Sequence, residues 1–243
     1  MHYVYHPNSD KERNNVFVRM YGLIFTPEGK TNEEARKIFL PATLDHLFVF
    51  APAFITAYNR RNLVISACNN VTGQKKVLKK AAKKIISHYF HGLKNGIKRG
   101  IFKSSDRNLY GLNAGNNNIP LMISERDILH WGALIIDGEA VRVAQGGLPL
   151  SMPSVEEVKT VLDNFKNIQK LQSERKMDLV KEQKKIRKLH AEADELITEL
   201  WDEVQFYFRK SERAARRLQC SQWGIIYKTR YRNTKQTNDT QQE

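Results

Sequence analysis

The chain has 243 residues, 41% of them apolar and 27% charged, with a formal net charge of +14. This length allows one large domain or two small ones around a sizeable core, and the balance of apolar to charged residues excludes a disordered chain. The longest nearly unbroken apolar run, LFVFAPAFITA at 47–57, has 11 residues, about half of the roughly 20 that a membrane helix needs.

The first thirty residues read as an N-terminal extension or a short helix. NSDKERNNVFVRMYGLIF carries Asn8 or Ser9 as a cap and ends before Pro27 and Gly29. The start lacks the basic-then-apolar order of a signal peptide, so a cytoplasmic location is expected. TNEE at 31–34 spaces Thr31 and Glu34 as a capping box for the next helix. Pro41 and Pro52 predict kinks or a short break in the segment that contains them. CNNVTGQ at 68–74 is either a turn closing a hairpin or a weak point inside a longer helix. From Gln74 to Gly100, lysine pairs recur every four residues at 75/76, 79/80 and 83/84, with Val77, Leu78, Ala81, Ala82, Ile85 and Ile86 between them. That beat is close to helical periodicity and predicts a helix, apolar on one side and lysine on the other.

NAGNNNIP at 113–120 is a loop. Residues 124–147 carry two conflicting signals. ALIIDGEAVRV reads locally as a hairpin with an Asp-Gly turn, yet Ser124 with Asp127 resembles a helix cap and Gly146-Gly147 suits a helix end. An isolated hairpin in a helical chain would be marginal, so helix is preferred. Ser154 and Glu157 form another capping box, and no Gly or Pro intervenes between there and Trp223. Ile186, Leu189, Ala193, Leu196, Leu200 and Val204 step by three or four. A continuous helix of about 57 residues would run roughly 85 Å, so a reversal is expected within the polar stretch 172–185. Residues 231–243 read as a polar, disordered tail. FKSSDRNLYGL at 102–112 and FRKSERAARRL at 208–218 echo one another, each after a long helix. The echo suggests two related helical-hairpin halves, about 31–112 and 124–230, within one bundle domain over 31–230.

The charge is unevenly placed. Between His46 and Ser124 there are thirteen Lys/Arg and one acid, Asp106, whereas 191–204 holds six acids and no base. Lys75, Lys76, Lys79, Lys80, Lys83 and Lys84, continued by Lys98 and Arg99, could neutralise phosphates and bind nucleic acid or another polyanion. The competing reading is a solvated face, or a face paired internally with the acids of 192–203. No zinc-finger, aromatic RNA-reading or phosphate-loop motif accompanies the ladder. His88 and His91 sit three apart, as two metal ligands could, but no third ligand is attached in sequence and packing is the simpler role. His190 with Asp194 is a one-turn pair that could serve acid–base work but is routine on a helix face. Cys68 and Cys220 fit no disulfide framework or zinc spacing; Cys220 follows Arg216 and Arg217, yet free cysteines are usually small buried hydrophobes. No cofactor is indicated.

WDEVQFYFRK followed by SERAARRLQCSQWGIIY resembles the C-terminal signature of a family of uncharacterised helical proteins from Bacteroidetes-type bacteria. KKAAKKIISHYFHGLKNGIKRG, DRNLYGL, DILHWGALIIDGEAVRVAQGG and PSVEEV extend the resemblance over roughly residues 35–230. It implies an all-helical, bundle-like fold and no particular activity. The family pattern has Arg-Glu before Trp-Gly, where this chain has Ser221 and Gln222.

These readings combine into an all-α protein of antiparallel helices. Trp201, Arg213, Arg216, Arg217 and Trp223 are expected to close the structure: the arginines satisfy helix-end carbonyls, and Trp223 with Ile225 forms a lid bent at Gly224. The expected function is a non-enzymatic structural or protein-interaction role, with no membrane association, an unidentified protein partner and unspecified oligomeric state. Polyanion binding through 75–84 is the alternative.

Overall fold

The computed structural model describes residues 2–116 and 118–229. Its helices are α1 (Asp10–Ile24), α2 (Glu33–Ile38), α3 (Pro41–Lys98), α4 (Glu125–Ala144), α5 (Val155–Lys188), α6 (His190–Tyr207) and α7 (Arg213–Gln222), with a 3-10 helix at Ser104–Tyr110. Strands β1 (His2–Val4) and β2 (Tyr227–Thr229) pair antiparallel, Val4 opposite Tyr227. The protein is all-α, as the sequence predicts. The tail expected at 231–243 lies outside the described residues.

The helix starts follow from their caps. Ser9 accepts from the Glu12 amide to open α1, and Ser124 and Ser154 each form reciprocal capping boxes, with Asp127 and Glu157. The cap expected at Thr31 moves one residue on: Asn32 accepts from Glu34 N, and Thr31 instead bridges to Phe25. Pro41 occupies the first position of α3, where its missing N–H costs nothing. Pro52 lies within α3 without ending it; Ala51 and Phe54 beside it are fully buried and hold the segment in the core. CNNVTGQ is likewise interior to α3, and the Thr72 hydroxyl returns a hydrogen bond to the Cys68 carbonyl. Residues 125–144 are helix, so packing overrides the local hairpin pattern.

The expected reversal within 172–185 does not occur. α5 continues to Lys188, and Leu189 interrupts the helix for one residue while keeping right-handed dihedrals (φ −91°, ψ −5°). The stretch is polar because its polar groups form a seam with α3. Gln172 receives from Lys75 and donates to Thr72, and Glu182 is ion-paired to Arg60 and Lys185. Nothing there supplies the Gly or αL residue that a helix reversal favours.

The chain forms two compact units, but not the halves expected at 31–112 and 124–230. Among the described residues, one unit joins 2–63 with 181–229; the other runs from Val64 to Val180. The divisions fall inside α3 and α5, which is why no linker composition marks them. In the unit containing the chain ends, Phe17 and Met20 of α1, Leu47 and Phe54 of α3, and Leu196 and Trp201 of α6 are fully buried. Thr43 meets Glu199 and Glu203 while Arg60 meets Glu182, so α3 runs antiparallel to the chain of α5 and α6. The central unit packs Tyr89 and Phe90 of α3, Tyr110, Ile128 and Ile135 of α4, and Phe165 of α5. Each such side chain contributes about 1.5–3 kcal/mol of burial.

Candidate functional site: the lysine face of α3

An α-helix turns about 100° per residue, so a four-residue repeat drifts about 40° at each step. The first lysine of each pair in 75–84 therefore begins on the packed side and rotates outward. Lys75 is tied inside the central unit, its Nζ 2.8 Å from Glu125 Oε2 and 2.9 Å from Gln172 Oε1, with a side chain 16% exposed. Its hydrogen bond lowers the Glu125 pKa, with help from Gln169 and the nearby charge of Lys79, against the opposing effect of burial. Lys79 is half-buried and Lys83 exposed, as the drift requires.

The second lysines, Lys76, Lys80 and Lys84, are exposed, as are Lys98 and Arg99. Together with Lys83 these six cations have no hydrogen-bond or ion-pair partner among the described residues. Lys84 borders a surface groove of about 640 Å³ between α3 and α5, together with Ala81, Ile85, His88, Pro153 and Val161. Glu156 and Glu157 form its opposite rim, and Glu157 is engaged at the α5 cap.

Four of the six acids of 192–203 have other partners. Arg13 holds Asp194 through two bonds of 2.7 and 2.8 Å, His46 meets Glu192 at 2.9 Å, and Thr43 bonds Glu199 and Glu203. The candidate pair His190–Asp194 does not form: His190 Nε2 lies 2.6 Å from Asp10 Oδ1 instead. Arg13 reaches across from α1 and claims Asp194. His88 and His91 line the surface beside Pro153, and no group of three or more metal-binding side chains occurs among the described residues. Cys68 and Cys220 are both buried.

At the C-terminal end, Trp201 is fully buried and Trp223 is 7% exposed, edge-on to Phe39 with centroids 5.7 Å apart. The arginine-rich stretch lies on α7, which Glu212 caps. Of its arginines, Arg216 donates to the Gln205 carbonyl in the last turn of α6; Arg213 is exposed and Arg217 half-buried. Gly224 takes φ +91°, a left-handed conformation that redirects the chain, and Ile225 beyond it is 2% exposed. Burial and the hydrogen bond with Cys220 push the Tyr227 hydroxyl up to about 12.

One polar cluster had no sequence counterpart among the candidates. Glu139 accepts from Arg142, from the Tyr110 hydroxyl and from Leu150 N, while Arg142 also donates to the Leu148 carbonyl at 2.6 Å. The Phe102 ring lies 4.4 Å from the Arg142 guanidinium, and Tyr89 contacts Tyr110. Burial, with Glu139 adjacent, pushes Tyr110 up to about 12. Every oxygen of Glu139 is occupied from within, so the cluster acts as a cross-link among α3, the 3-10 helix, α4 and the segment before α5. Its only sequence signal is the i, i+3 spacing of Glu139 and Arg142 in an apolar context.

No helix among the described residues is long and apolar enough to cross a membrane. Comparison of the chain with protein-family models, with curated proteins and with solved structures finds no match.

Proposed function

We propose that this chain is a non-enzymatic interaction protein that docks polyanions, nucleic acid among them, on the outer face of α3. The observation that carries the reading is the row of exposed, unpartnered cations Lys76, Lys80, Lys83, Lys84 and Lys98 on α3, continued by Arg99 just past its end. At 1.5 Å per residue the row is roughly 35 Å long, and lysine is a flexible point charge suited to phosphate without base reading. Sequence selectivity is not part of the proposal. Membership of the family that the C-terminal signature resembles belongs to the same proposal and adds no activity to it.

The test is equilibrium binding to duplex DNA and to heparin as salt is raised. Neutralising about four to six phosphates gives a fall of roughly 10²–10³-fold between about 50 and 200 mM salt. Lys76→Glu, Lys80→Glu and Lys83→Glu combined should remove most of the affinity while leaving the melting temperature nearly unchanged, since all three side chains are exposed. Binding that ignores salt, or that survives the triple reversal, defeats the proposal.

A further inference from the structure

α6 presents a second patterned face. Glu195, Glu199 and Asp202 are exposed acids at i, i+4 and i+7. Glu195 and Asp202 have no partner among the described residues, and Glu199 takes one bond from Thr43 Oγ1 at 3.3 Å. Four residues beyond Asp202 stands Phe206, 65% exposed, with the Arg209 guanidinium 3.6 Å over its ring. Asp202 and Phe206 also border one depression with Leu40, Tyr207, Lys37 and Lys210, so the acidic row ends beside an exposed aromatic ring in mixed surroundings.

The lysine face of α3 has the same spacing. Lys76, Lys80 and Lys83 are at i, i+4 and i+7, and four residues beyond Lys83 is Ser87. Ser87 is half-buried and ends the row; the groove lined by Ile85, His88, Pro153 and Val161 opens on an adjacent side of α3. One register, with paired residues 119 apart, sets Glu195 on Lys76, Glu199 on Lys80, Asp202 on Lys83 and Phe206 on Ser87. Both faces are helical, so the rise is matched along the row.

We infer that the acidic face of α6 in one copy of the chain docks, parallel and in this register, on the lysine face of α3 in a second copy, with Phe206 set against Ser87 at the end of the row. The two faces are different patches, so the contact is heterologous and propagates unless a ring closes it. Exposed ion pairs are individually weak and salt-screened, which places the association at low salt and high protein concentration. A polyanion competes for the same lysines and dissolves the assembly. The inference goes beyond polyanion binding, which uses one of the two faces only.

The test is sedimentation of the full chain over a concentration series at low salt. The weight-average mass is expected to rise above the monomer's 28.2 kDa and return to it when salt is added. Glu195→Lys, Glu199→Lys and Asp202→Lys combined should abolish association while keeping or strengthening heparin binding; the triple lysine reversal should lose both. Mixing the two reversed proteins, each monomeric alone, should restore the heavier species, which also shows that both are folded. Phe206→Ala should weaken association at least several-fold. A constant monomer mass, an α6 reversal that associates like the parent, or a mixture that stays monomeric overturns the inference. Loss of polyanion binding with association intact would remove only the function proposed above.

Discussion

Arg142→Met is the sharpest perturbation of the interior. Arg142 and Glu139 form an ion pair whose side chains are 3% and 2% exposed, so removing the guanidinium strands a buried carboxylate. Breaking such a pair from one side costs about 3–5 kcal/mol, a fall of roughly 10–20 °C in the melting of the unit that contains it. The pH dependence separates this mechanism from simple loss of packing. In the native protein burial works to raise the Glu139 pKa, but the hydrogen bonds from Arg142, Tyr110 and Leu150 N outweigh it and hold the carboxyl below its ordinary 4.5. That stability is present above the unfolded-state value and is lost as pH falls through the folded one. Without Arg142 the burial cost is no longer offset by a cation, so the pKa rises and the group protonates instead of carrying a buried charge. The penalty is therefore largest near neutral pH and shrinks towards about pH 5. Urea unfolding of the parent, Arg142→Met, Glu139→Met and the double variant at both pH values measures this directly. The double variant should cost at least about 1 kcal/mol less than the sum of the singles. Additive costs, or a penalty independent of pH, would refute the account.

Two further substitutions probe packing. Trp223→Ala removes a ring that is 7% exposed and packed on Phe39, and should lower stability by about 3 kcal/mol or more; an unchanged urea midpoint would show that the segment after α7 does not cover the core. At Gly138 an added Cβ would lie 2.6 Å from the Leu109 carbonyl oxygen and 2.7 Å from the Tyr110 ring, so Gly138→Ala should cost about 1–3 kcal/mol. Gly22→Ala on α1 meets nothing within 4 Å and should instead stabilise by about 0.5–1 kcal/mol; calorimetry that shows the same sign for both would contradict the packing at Gly138.

Much of the helical layout was legible because it depends on local chemistry. Ser9, Ser124 and Ser154 cap where their spacing says they should, and the apolar steps Ala193, Leu196, Leu200 and Val204 lie on the buried face of α6. The features that stayed hidden depend on the partner. Residues 172–185 look like a place to turn because Gln172 and Glu182 are polar, but both are 7–9% exposed and face polar groups of α3. The unit boundary was hidden for a related reason: it falls within two helices, and helix propensity carries no mark of which core a turn packs against. The lysine ladder was legible as a charged face, and the divergence of Lys75 from Lys76 follows from its four-residue period. That Glu125 would be the acid meeting Lys75 did not, because those residues are brought together only by the packing of α4 on α3.

The division of work between arginine and lysine explains how a strongly basic chain still builds two cores. Every buried cation among the described residues is an arginine: Arg13, Arg107 and Arg142. Each uses the planar fork to reach two or more acceptors, Asp194 for Arg13, the Asn113 and Asn118 carbonyls for Arg107, and Glu139 with Leu148 for Arg142. A lysine at any of these positions would give up the fixed two-point geometry and carry a more strongly hydrated charge into the interior. Lysine is accordingly kept where its stem can lie along a helix and its ammonium can stay in water. Even Lys75, tied to Glu125 and Gln172, keeps 16% of its side chain exposed. The net charge is thus split by residue type, with several arginines fastening elements to one another and most of the α3 lysine ladder left exposed on its surface.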